Sequence, residues 1–238
     1  MIYIASDIHG EYDLFMRLLE RIRFTEQDEM IVCGDAIDKG TGSVRLLTLL
    51  SAYRNFKFIL GNHEYDFLKS YRALMQSEQS DYDNVLKTLQ ENLGGDGGLL
   101  TWDIVDWLDA QPFYLERDRF LCVHSGVPID RKDNTIKNLN AVTAEQFVYD
   151  RGFKDPNVLP NTDRCIFYGH TPSNYLTGKH EFIAYAKTEE PKSISDFIKI
   201  QLDIGSWLGG GVGCFCVDNL QEYYIRPDGA FERKNNRI

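Results

Sequence analysis

Residues 1–10 read MIYIASDIHG, a short apolar segment that ends in a polar block bounded by glycine. Two later segments repeat this plan: MIVCGDAIDKG at 30–40 and FKFILGNHE at 56–64. Amphipathic helical periodicity fills the intervals at 11–23 and 43–54. The alternation predicts an α/β fold with parallel strands and right-handed crossovers. Ligand sites in such sheets gather beyond the carboxyl ends of the strands, so the three polar blocks are expected to converge.

Two histidine blocks follow the same plan further along the chain. They read FLCVHSG at 120–126 and CIFYGHTP at 165–172. A lone histidine in such a place is most often a structural residue that bonds a carbonyl, but five blocks of one kind favour a shared metal site. The fifth histidine of the chain, His180, has no such setting and is predicted to lie on the surface.

The polar blocks supply carboxylate, amide and imidazole ligands, which suit manganese, iron and zinc. Asp7 and His9 are two residues apart and can reach one metal, while Asp35 can bridge two metals about 3.5–4 Å apart. The second metal can be completed by Asn62, His124 and His170. Water shared by two such ions loses a proton readily, its pKa falling from ~15.7 to about 7. The sequence therefore predicts a dinuclear site that hydrolyses a phosphate ester.

A general acid is expected beside the metals. His63 adjoins a predicted ligand, and a histidine that is hydrogen-bonded to a carboxylate can protonate a leaving alkoxide. Asp38 is the predicted carboxylate, and a helix-capping role is the alternative for it.

Composition narrows the classes of partner and compartment. A net charge of −10 argues against general nucleic-acid binding, which needs a basic surface. The sequence lacks an apolar stretch long enough to cross a bilayer, so no membrane partner is expected. The chain opens directly in a predicted strand without a signal peptide, and its five cysteines lie mostly in apolar segments. We therefore expect a cytoplasmic protein with reduced, buried thiols.

The sequence predicts a single domain over residues 1–238, with a helical insertion at about 65–110 that walls one side of the site. Glycines at 94–98 predict a hinge or tight turn there; a phosphate cradle is the alternative, although no clear strand precedes them. The chain then turns toward β structure, with strands predicted at 120–123, 165–168, 199–204, 214–217 and 222–226. The glycines at 209–213 predict a flexible hairpin between two of these strands.

Together the five blocks resemble the phosphoprotein phosphatase branch of the calcineurin-like metallophosphoesterases, and its bacterial and phage serine/threonine phosphatases most of all. That family's signature is Asp-x-His-Gly, Gly-Asp-x-x-Asp-Arg-Gly, Gly-Asn-His-Glu/Asp and two later histidines, and all five blocks occur in order from Asp7 to His170. The resemblance implies a four-layer sandwich of two mixed β-sheets flanked by helices. It also implies two divalent ions, with manganese favoured and iron, zinc or nickel as alternatives.

The resemblance also assigns roles to residues. It implies that Asp35 is shared by both metals, that Asn62 also contacts phosphate, and that His63 is the acid paired with Asp38. It places a phosphate-binding arginine before the last histidine, for which Arg151 is the candidate and a surface arginine the alternative. Lys39 stands where the family usually has arginine; a lysine is a point charge without the bidentate grip, so weaker phosphate binding is expected.

Three functions remain open at this level. The leading prediction is a phosphomonoesterase acting on phosphoserine or phosphothreonine in proteins. A dinucleoside polyphosphate hydrolase, as for diadenosine tetraphosphate, is the alternative; it needs an aromatic pocket for a base, with Tyr65, Trp102 or Trp207 as candidates. A non-catalytic scaffold with this fold is the third, but scaffolds typically lose metal ligands and this chain retains the whole set. The expected partner is thus a phosphorylated protein or a small phosphoester or nucleotide.

Overall fold

The computed structural model describes residues 1–76, 81–130 and 132–235. Its strands are β1 (Ile2–Ala5), β2 (Glu29–Val32), β3 (Phe56–Phe58), β4 (Tyr114–Glu116), β5 (Phe120–Val123), β6 (Cys165–Tyr168), β7 (Ile183–Ala186), β8 (Phe197–Gln201), β9 (Val212–Cys216), β10 (Gln221–Ile225) and β11 (Phe231–Asn235). Its α-helices are α1 (Tyr12–Arg21), α2 (Ser43–Ala52), α3 (Asn62–Met75), α4 (Tyr82–Leu93), α5 (Trp102–Asp109), α6 (Ala144–Tyr149) and α7 (Ser173–Thr177).

The strands form two mixed sheets. The first has the order β11-β10-β9-β1-β2-β3, in which β1, β2 and β3 run parallel and β9 pairs antiparallel with β1. The second has the order β4-β5-β6-β8-β7, with β5, β6 and β8 parallel and both edge strands antiparallel. Parallel strands carry the polar blocks in both sheets, so the carboxyl ends that hold these blocks lie along shared edges.

Alternation along the strands divides the core into layers. Ile4 packs between the two sheets with Phe167 and Phe215, whereas its neighbours Tyr3 and Ala5 face the other way, onto the layer that contains α1 and α2. The outer face of the second sheet packs against α6 through a third apolar cluster. The layers are therefore helix, sheet, sheet and helix, and the predicted fold class is confirmed.

The glycine-rich segment at 94–98 is a tight turn tied to a neighbouring helix. The Asp96 carboxylate accepts the backbone N–H groups of Val44 (2.8 Å) and Arg45 (2.9 Å), so it caps the first turn of α2. A side chain at Gly97 would place its Cβ 2.2 Å from the Gln90 carbonyl oxygen, which explains the glycine there. These contacts give the segment a packing role, and α3, α4 and α5 occupy the predicted helical insertion around it.

Two predictions about the C-terminal part are wrong. The glycines at 209–213 do not form a hairpin, because β8 lies in the second sheet and β9 in the first, so the chain crosses between sheets here. His180 is half-buried, with its ring Nδ1 donating to the Ile204 carbonyl (2.6 Å), and is not a free surface residue. The predicted strands at 120–123 and 165–168 match β5 and β6, while β4, β7 and β11 were not predicted.

All five cysteines are buried free thiols, as the sequence predicts. Among the described helices, none combines the length and apolar character that a bilayer-crossing segment requires.

Candidate active site

The polar blocks meet where the carboxyl ends of the two sheets face each other. Asp7 follows β1, Asp35 follows β2, and Asn62 opens α3 just beyond β3. His124 follows β5, and His170 follows β6 in the second sheet. Residues far apart in the sequence are thus brought to one place by strand order alone.

Asp35 is the centre of two clusters. Its Oδ2 atom lies 3.7 Å from His9 Nε2, 3.9 Å from His63 Nε2 and 3.4 Å from His124 Nε2. Ligand atoms of His9, Asp35 and His63 lie within 4.8 Å of one another, and so do those of Asp35, His124 and His170. The shared carboxylate is the arrangement that the sequence predicts for a bridging ligand. Asp7 is absent from both clusters; its carboxylate accepts the His170 N–H (3.1 Å) and the Ser6 hydroxyl (2.5 Å).

Backbone carbonyls orient two of these imidazoles. His9 Nδ1 is 2.9 Å from the Ile37 carbonyl oxygen, and His124 Nδ1 is 2.9 Å from that of Cys33. A carbonyl only accepts hydrogen bonds, so each Nδ1 carries a proton and each ring turns its Nε2 toward Asp35. Such an arrangement is typical of metal-binding histidines.

Asn62 completes the second cluster. Its Oδ1 atom lies 3.1 Å from His124 Nε2 and 2.8 Å from His170 Nδ1. His170 Nε2 is also buried, and no hydrogen-bond partner for it occurs in the described part of the chain. Nitrogen and oxygen donors that crowd together in this way fit divalent manganese, iron or zinc.

The shifted pKa values of Asp35 and the histidines show that the two clusters favour positive charge around a charged Asp35. Burial alone would raise the pKa of Asp35, but His124, His9 and His63 hold it well below the usual range. Burial disfavours the charged form of His124, yet Asp35 and Asp7 outweigh it and raise the pKa to about 10. Burial and the charge of His124 lower the pKa of His170 to about 3, so this ring is the neutral, ligand-competent form. The buried negative charge is thus concentrated on Asp35.

Backbone strain is concentrated at the same place. Of the nine described non-glycine residues with positive φ, six belong to the polar blocks: Asp7, His9, Asp35, Asp38, Lys39 and His170, with φ between 48° and 70°. The left-handed conformation costs roughly 1–2 kcal/mol for an ordinary residue. Strain of this kind clusters where surrounding contacts over-determine a functional geometry.

Glu64 provides many of the contacts that hold the strained backbone of these blocks in place. Its fully buried carboxylate accepts four backbone N–H groups, those of Asp35 (2.8 Å), Ala36 (2.8 Å), Ile37 (3.1 Å) and Gly61 (3.0 Å). These bonds hold the second and third blocks against each other. The sequence places Glu64 in a block but does not reveal this role, because three of the four partners are backbone atoms 27 to 29 residues away.

His63 and Asp38 form the predicted pair. The distance from His63 Nδ1 to Asp38 Oδ2 is 2.5 Å. Burial lowers the pKa of His63, but the hydrogen bond to Asp38 and the charge of Asp35 outweigh it, and the net shift is upward. Asp38 does not cap α2, which begins at Ser43 after Gly42. The carboxylate instead orients the imidazole.

A cavity of about 190 Å³ opens above the clusters, and we call it the central cavity. The three predicted phosphate-binding residues, Lys39, Arg151 and Asn62, all line it, as does His63. Of the aromatic candidates only Trp207 lines it, with Lys39 Nζ 5.3 Å from the ring centroid.

The other two aromatic candidates lie elsewhere. Trp102 packs on Tyr71 and Tyr82, and Tyr65 donates to Glu145, so neither reaches the central cavity. The hypothesis that either residue forms a base pocket there is therefore wrong.

Asp203 is a buried residue that sequence reasoning missed. It lines the central cavity, its Oδ1 accepts the Gly205 N–H (2.8 Å), and burial with the charge of Asp35 raises its pKa to about 7. A lone carboxylate inside the apolar run at 202–204, just before a glycine, is the signal that could have revealed it.

Arg151 sits on a loop that is fixed on both sides. The Asp150 N–H donates to Ser125 Oγ (2.9 Å), and the buried Lys199 of β8 donates to the carbonyls of Phe153 (2.7 Å) and Asp155 (2.8 Å). Burial lowers the pKa of Lys199 to about 8. The two hydrogen bonds from this buried lysine therefore help to fix the loop that carries Arg151.

We expect Lys199→Met to raise KM for a phosphate ester, because the Arg151 loop would lose its anchor. The effect should be much smaller in an Arg151→Ala background, with a coupling free energy of about 0.5–3 kcal/mol. Steady-state kinetics on the four proteins of the cycle measures this coupling. Lys187→Met is the matched control, since its ammonium also donates to a carbonyl, that of Ser195, but at an exposed site. Additive effects of Lys199→Met and Arg151→Ala would contradict the link.

Fold and site together define a phosphoesterase with a candidate dinuclear metal centre. The family model for calcineurin-like phosphoesterases matches residues 1–203, and the chain belongs to this family. Members of the family use a dinuclear metal site, and the two clusters around Asp35 are the candidate ligand groups here.

The relatives and solved structures agree with this assignment. A symmetrical bis(5'-nucleosyl)-tetraphosphatase of Aggregatibacter actinomycetemcomitans is 28% identical over 132 residues, 54% of this chain and 45% of the relative. The enzyme of that name from Vibrio parahaemolyticus is 30% identical over 127 residues, 52% and 44% of the two chains. The match thus spans less than half of these relatives.

Among solved structures, a candidate diadenosine tetraphosphatase covers 98% of this chain and 92% of its own, with a TM-score of 0.62 and 17% identity. A cold-active protein-tyrosine phosphatase of a psychrophilic Shewanella covers 98% of this chain and 79% of its own, with a TM-score of 0.57 and 18% identity. At these identities the likeness shows the fold.

Proposed function

We propose that this phosphoesterase hydrolyses a dinucleoside polyphosphate, with the central cavity as its phosphate site. The observation that carries the proposal is the sequence match to symmetrical bis(5'-nucleosyl)-tetraphosphatases, which covers 54% and 52% of this chain for the two relatives. Two exposed aromatic residues, Tyr175 and Trp207, also line the central cavity, and they offer flat surfaces next to the phosphate site for a nucleotide base. This substrate class replaces a phosphoprotein as the leading hypothesis.

The cations of the cavity walls bind and orient the polyphosphate. Lys39 and Arg151 project into the central cavity from the second block and from the loop after α6. Arg151 can hold two phosphoryl oxygens in parallel, whereas Lys39 acts as a point charge. Divalent ions would be held at the clusters by His9, Asp35, Asn62, His124 and His170, together with Asp7, which lies beside the clusters and accepts the His170 N–H. These ions would supply an activated water and stabilise charge on the phosphoryl oxygens.

His63 delivers the proton that the departing phosphate needs. Its Nδ1–H is held by Asp38, which leaves Nε2 directed into the site, 3.9 Å from Asp35 Oδ2. In the protonated ring Nε2–H can donate to the leaving oxygen, and Asp38 stabilises that charged form.

Product analysis tests the proposal. With Mn²⁺ added, we expect diadenosine tetraphosphate to be converted to ADP alone, with kcat/KM at least about tenfold above that for a phosphoserine peptide, a difference of roughly 1.4 kcal/mol in transition-state binding. Anion-exchange chromatography separates ADP from an ATP and AMP mixture, and the Asp35→Asn protein controls for contaminating hydrolases.

Other outcomes would replace the proposal. A higher kcat/KM for the phosphopeptide would return protein phosphatase activity to first place. Hydrolysis of neither substrate, nor of an aryl phosphate, with several divalent metals would favour a non-catalytic scaffold.

A further inference from the structure

A second cavity of about 420 Å³ adjoins the central one, and we call it the side cavity. Trp207 lines both cavities, so the indole is their common wall. The opposite side is formed by Glu11, just before α1, and by Asp13 and Arg17 in the first two turns of this helix. Its volume lies within the range of about 300–1,000 Å³ that small-molecule sites occupy.

The indole is held in a defined position. Trp207 lies in a single 3₁₀ turn, Ser206–Leu208, flanked by Gly205 and Gly209 with φ of +70° and +91°. The Ser206 hydroxyl donates to the Asp7 carbonyl (2.7 Å) and so ties the turn to the first polar block. Trp207 as a residue nevertheless remains 43% exposed. A large aromatic surface fixed beside a phosphate site and left open to solvent is suited to stacking against a flat ligand.

The two cavities differ in charge. The central cavity presents Lys39 and Arg151, which suit phosphate groups, beside the carboxyl groups of Asp35 and Asp203, and divalent ions held at the clusters would add positive charge there. The side cavity presents the carboxylates of Glu11 and Asp13 with only Arg17 as a cation, and Asp13 lies 3.4 Å from Arg45 outside it. Carboxylates repel phosphate but accept hydrogen bonds from ribose hydroxyls and from exocyclic amino groups. The division favours phosphates in the central cavity and an uncharged, hydroxyl-rich group beyond the indole.

We propose that the side cavity binds one nucleoside of the substrate, with its base stacked on Trp207 and its polar hydrogens donated to Glu11. The proposal rests on the proposed function, because that function supplies a nucleotide whose phosphates occupy the central cavity. It adds the place of the nucleoside and a residue that determines specificity.

Calorimetric titration with ADP and with inorganic pyrophosphate, in the presence of Mn²⁺, tests the assignment. Trp207→Ala should weaken ADP binding about tenfold, the usual effect of losing a base–aromatic stack, and leave pyrophosphate binding within twofold. Glu11→Gln, which keeps the side-chain size, should weaken ADP binding by a smaller factor and spare pyrophosphate. Trp102→Ala is the matched control, since that indole packs on Tyr71 and Tyr82 away from both cavities.

The outcomes of these titrations distinguish a failure of the side-cavity assignment from a failure of the proposed function. Unchanged ADP binding by Trp207→Ala, or equal weakening of ADP and pyrophosphate, would overturn the assignment; the second result would mean that the indole acts only through Lys39. If diadenosine tetraphosphate is hydrolysed with a KM that Trp207→Ala does not alter, the side cavity is wrong and the proposed function stands. If that compound is not hydrolysed but ADP binding depends on Trp207, the proposed function fails and the side cavity stands.

Discussion

Asp35→Asn should abolish metal binding at the pair and lower kcat/KM by about 10³-fold or more. The Asp35 carboxylate, the predicted bridging ligand, faces three imidazoles within 3.9 Å, and an amide there offers one neutral oxygen in place of two charged ones. Ions in dinuclear sites stabilise the transition state by several kcal/mol, and each ~1.4 kcal/mol is a factor of ten. Elemental analysis of the desalted protein should show a fall from about two ions per chain to less than one.

Asp203→Asn is the matched control for Asp35→Asn. It removes another buried carboxyl group from the same cavity but leaves both clusters whole, so metal content should be retained. Circular dichroism on both variants separates loss of ions from loss of fold. Full metal content in Asp35→Asn, with kcat/KM within threefold of the parent, would refute the bridging role.

His63→Asn should lower kcat by a factor that depends on the leaving group. Loss of a positioned general acid typically costs about 10²–10⁴-fold. A poor leaving group, such as the alkoxide of an alkyl phosphate, depends most on protonation, so we expect the upper end of that range there. A departing nucleoside diphosphate or nitrophenolate needs less help and should show the lower end or less. The measurement is kcat for the three ester or anhydride types on one metal-loaded preparation.

Asp38→Asn completes this test. Because Asp38 acts by orienting and charging His63, its substitution should cost less than His63→Asn and add little to it in the double variant. An equal loss for good and poor leaving groups would show that His63 helps to bind ions, consistent with its place in one cluster, and is not the acid.

The sequence reveals the site well because parallel strands force its geometry. Each ligand block follows a recognisable apolar strand, and strand ends in one sheet share an edge, so convergence of Asp7, Asp35 and Asn62 needs no further information. The pairing of His63 with Asp38 is likewise readable from the order of the blocks. The roles of all of these residues as ligands or acid remain predictions until the variants are measured.

Other features depend on contacts that no local pattern encodes. The glycine run at 209–213 is compatible with a hairpin or a crossover, and only the pairing of β9 with β1 decides between them. Lys199 interrupts an apolar strand with a charge, but its meaning lies in two loop carbonyls more than 40 residues away. Edge strand β11 reads FERKN, so it lacks the apolar run that marks central strands, whereas β7 reads IAYA and is an apolar run that the sequence analysis did not assign to a strand.

The ligand blocks are divided between the two sheets, so catalysis depends on the distance and angle at which the sheets pack against each other. Asp35 and Asn62 move with the first sheet, while His124 and His170 move with the second. The residues between them, such as Ile4 and Phe167, therefore act as spacers that set the gap between donor atoms. A change of one methylene in these residues would misalign the donor atoms by a fraction of an ångström. A screen for altered turnover should therefore recover substitutions in the apolar core between the sheets as well as at the cavity wall.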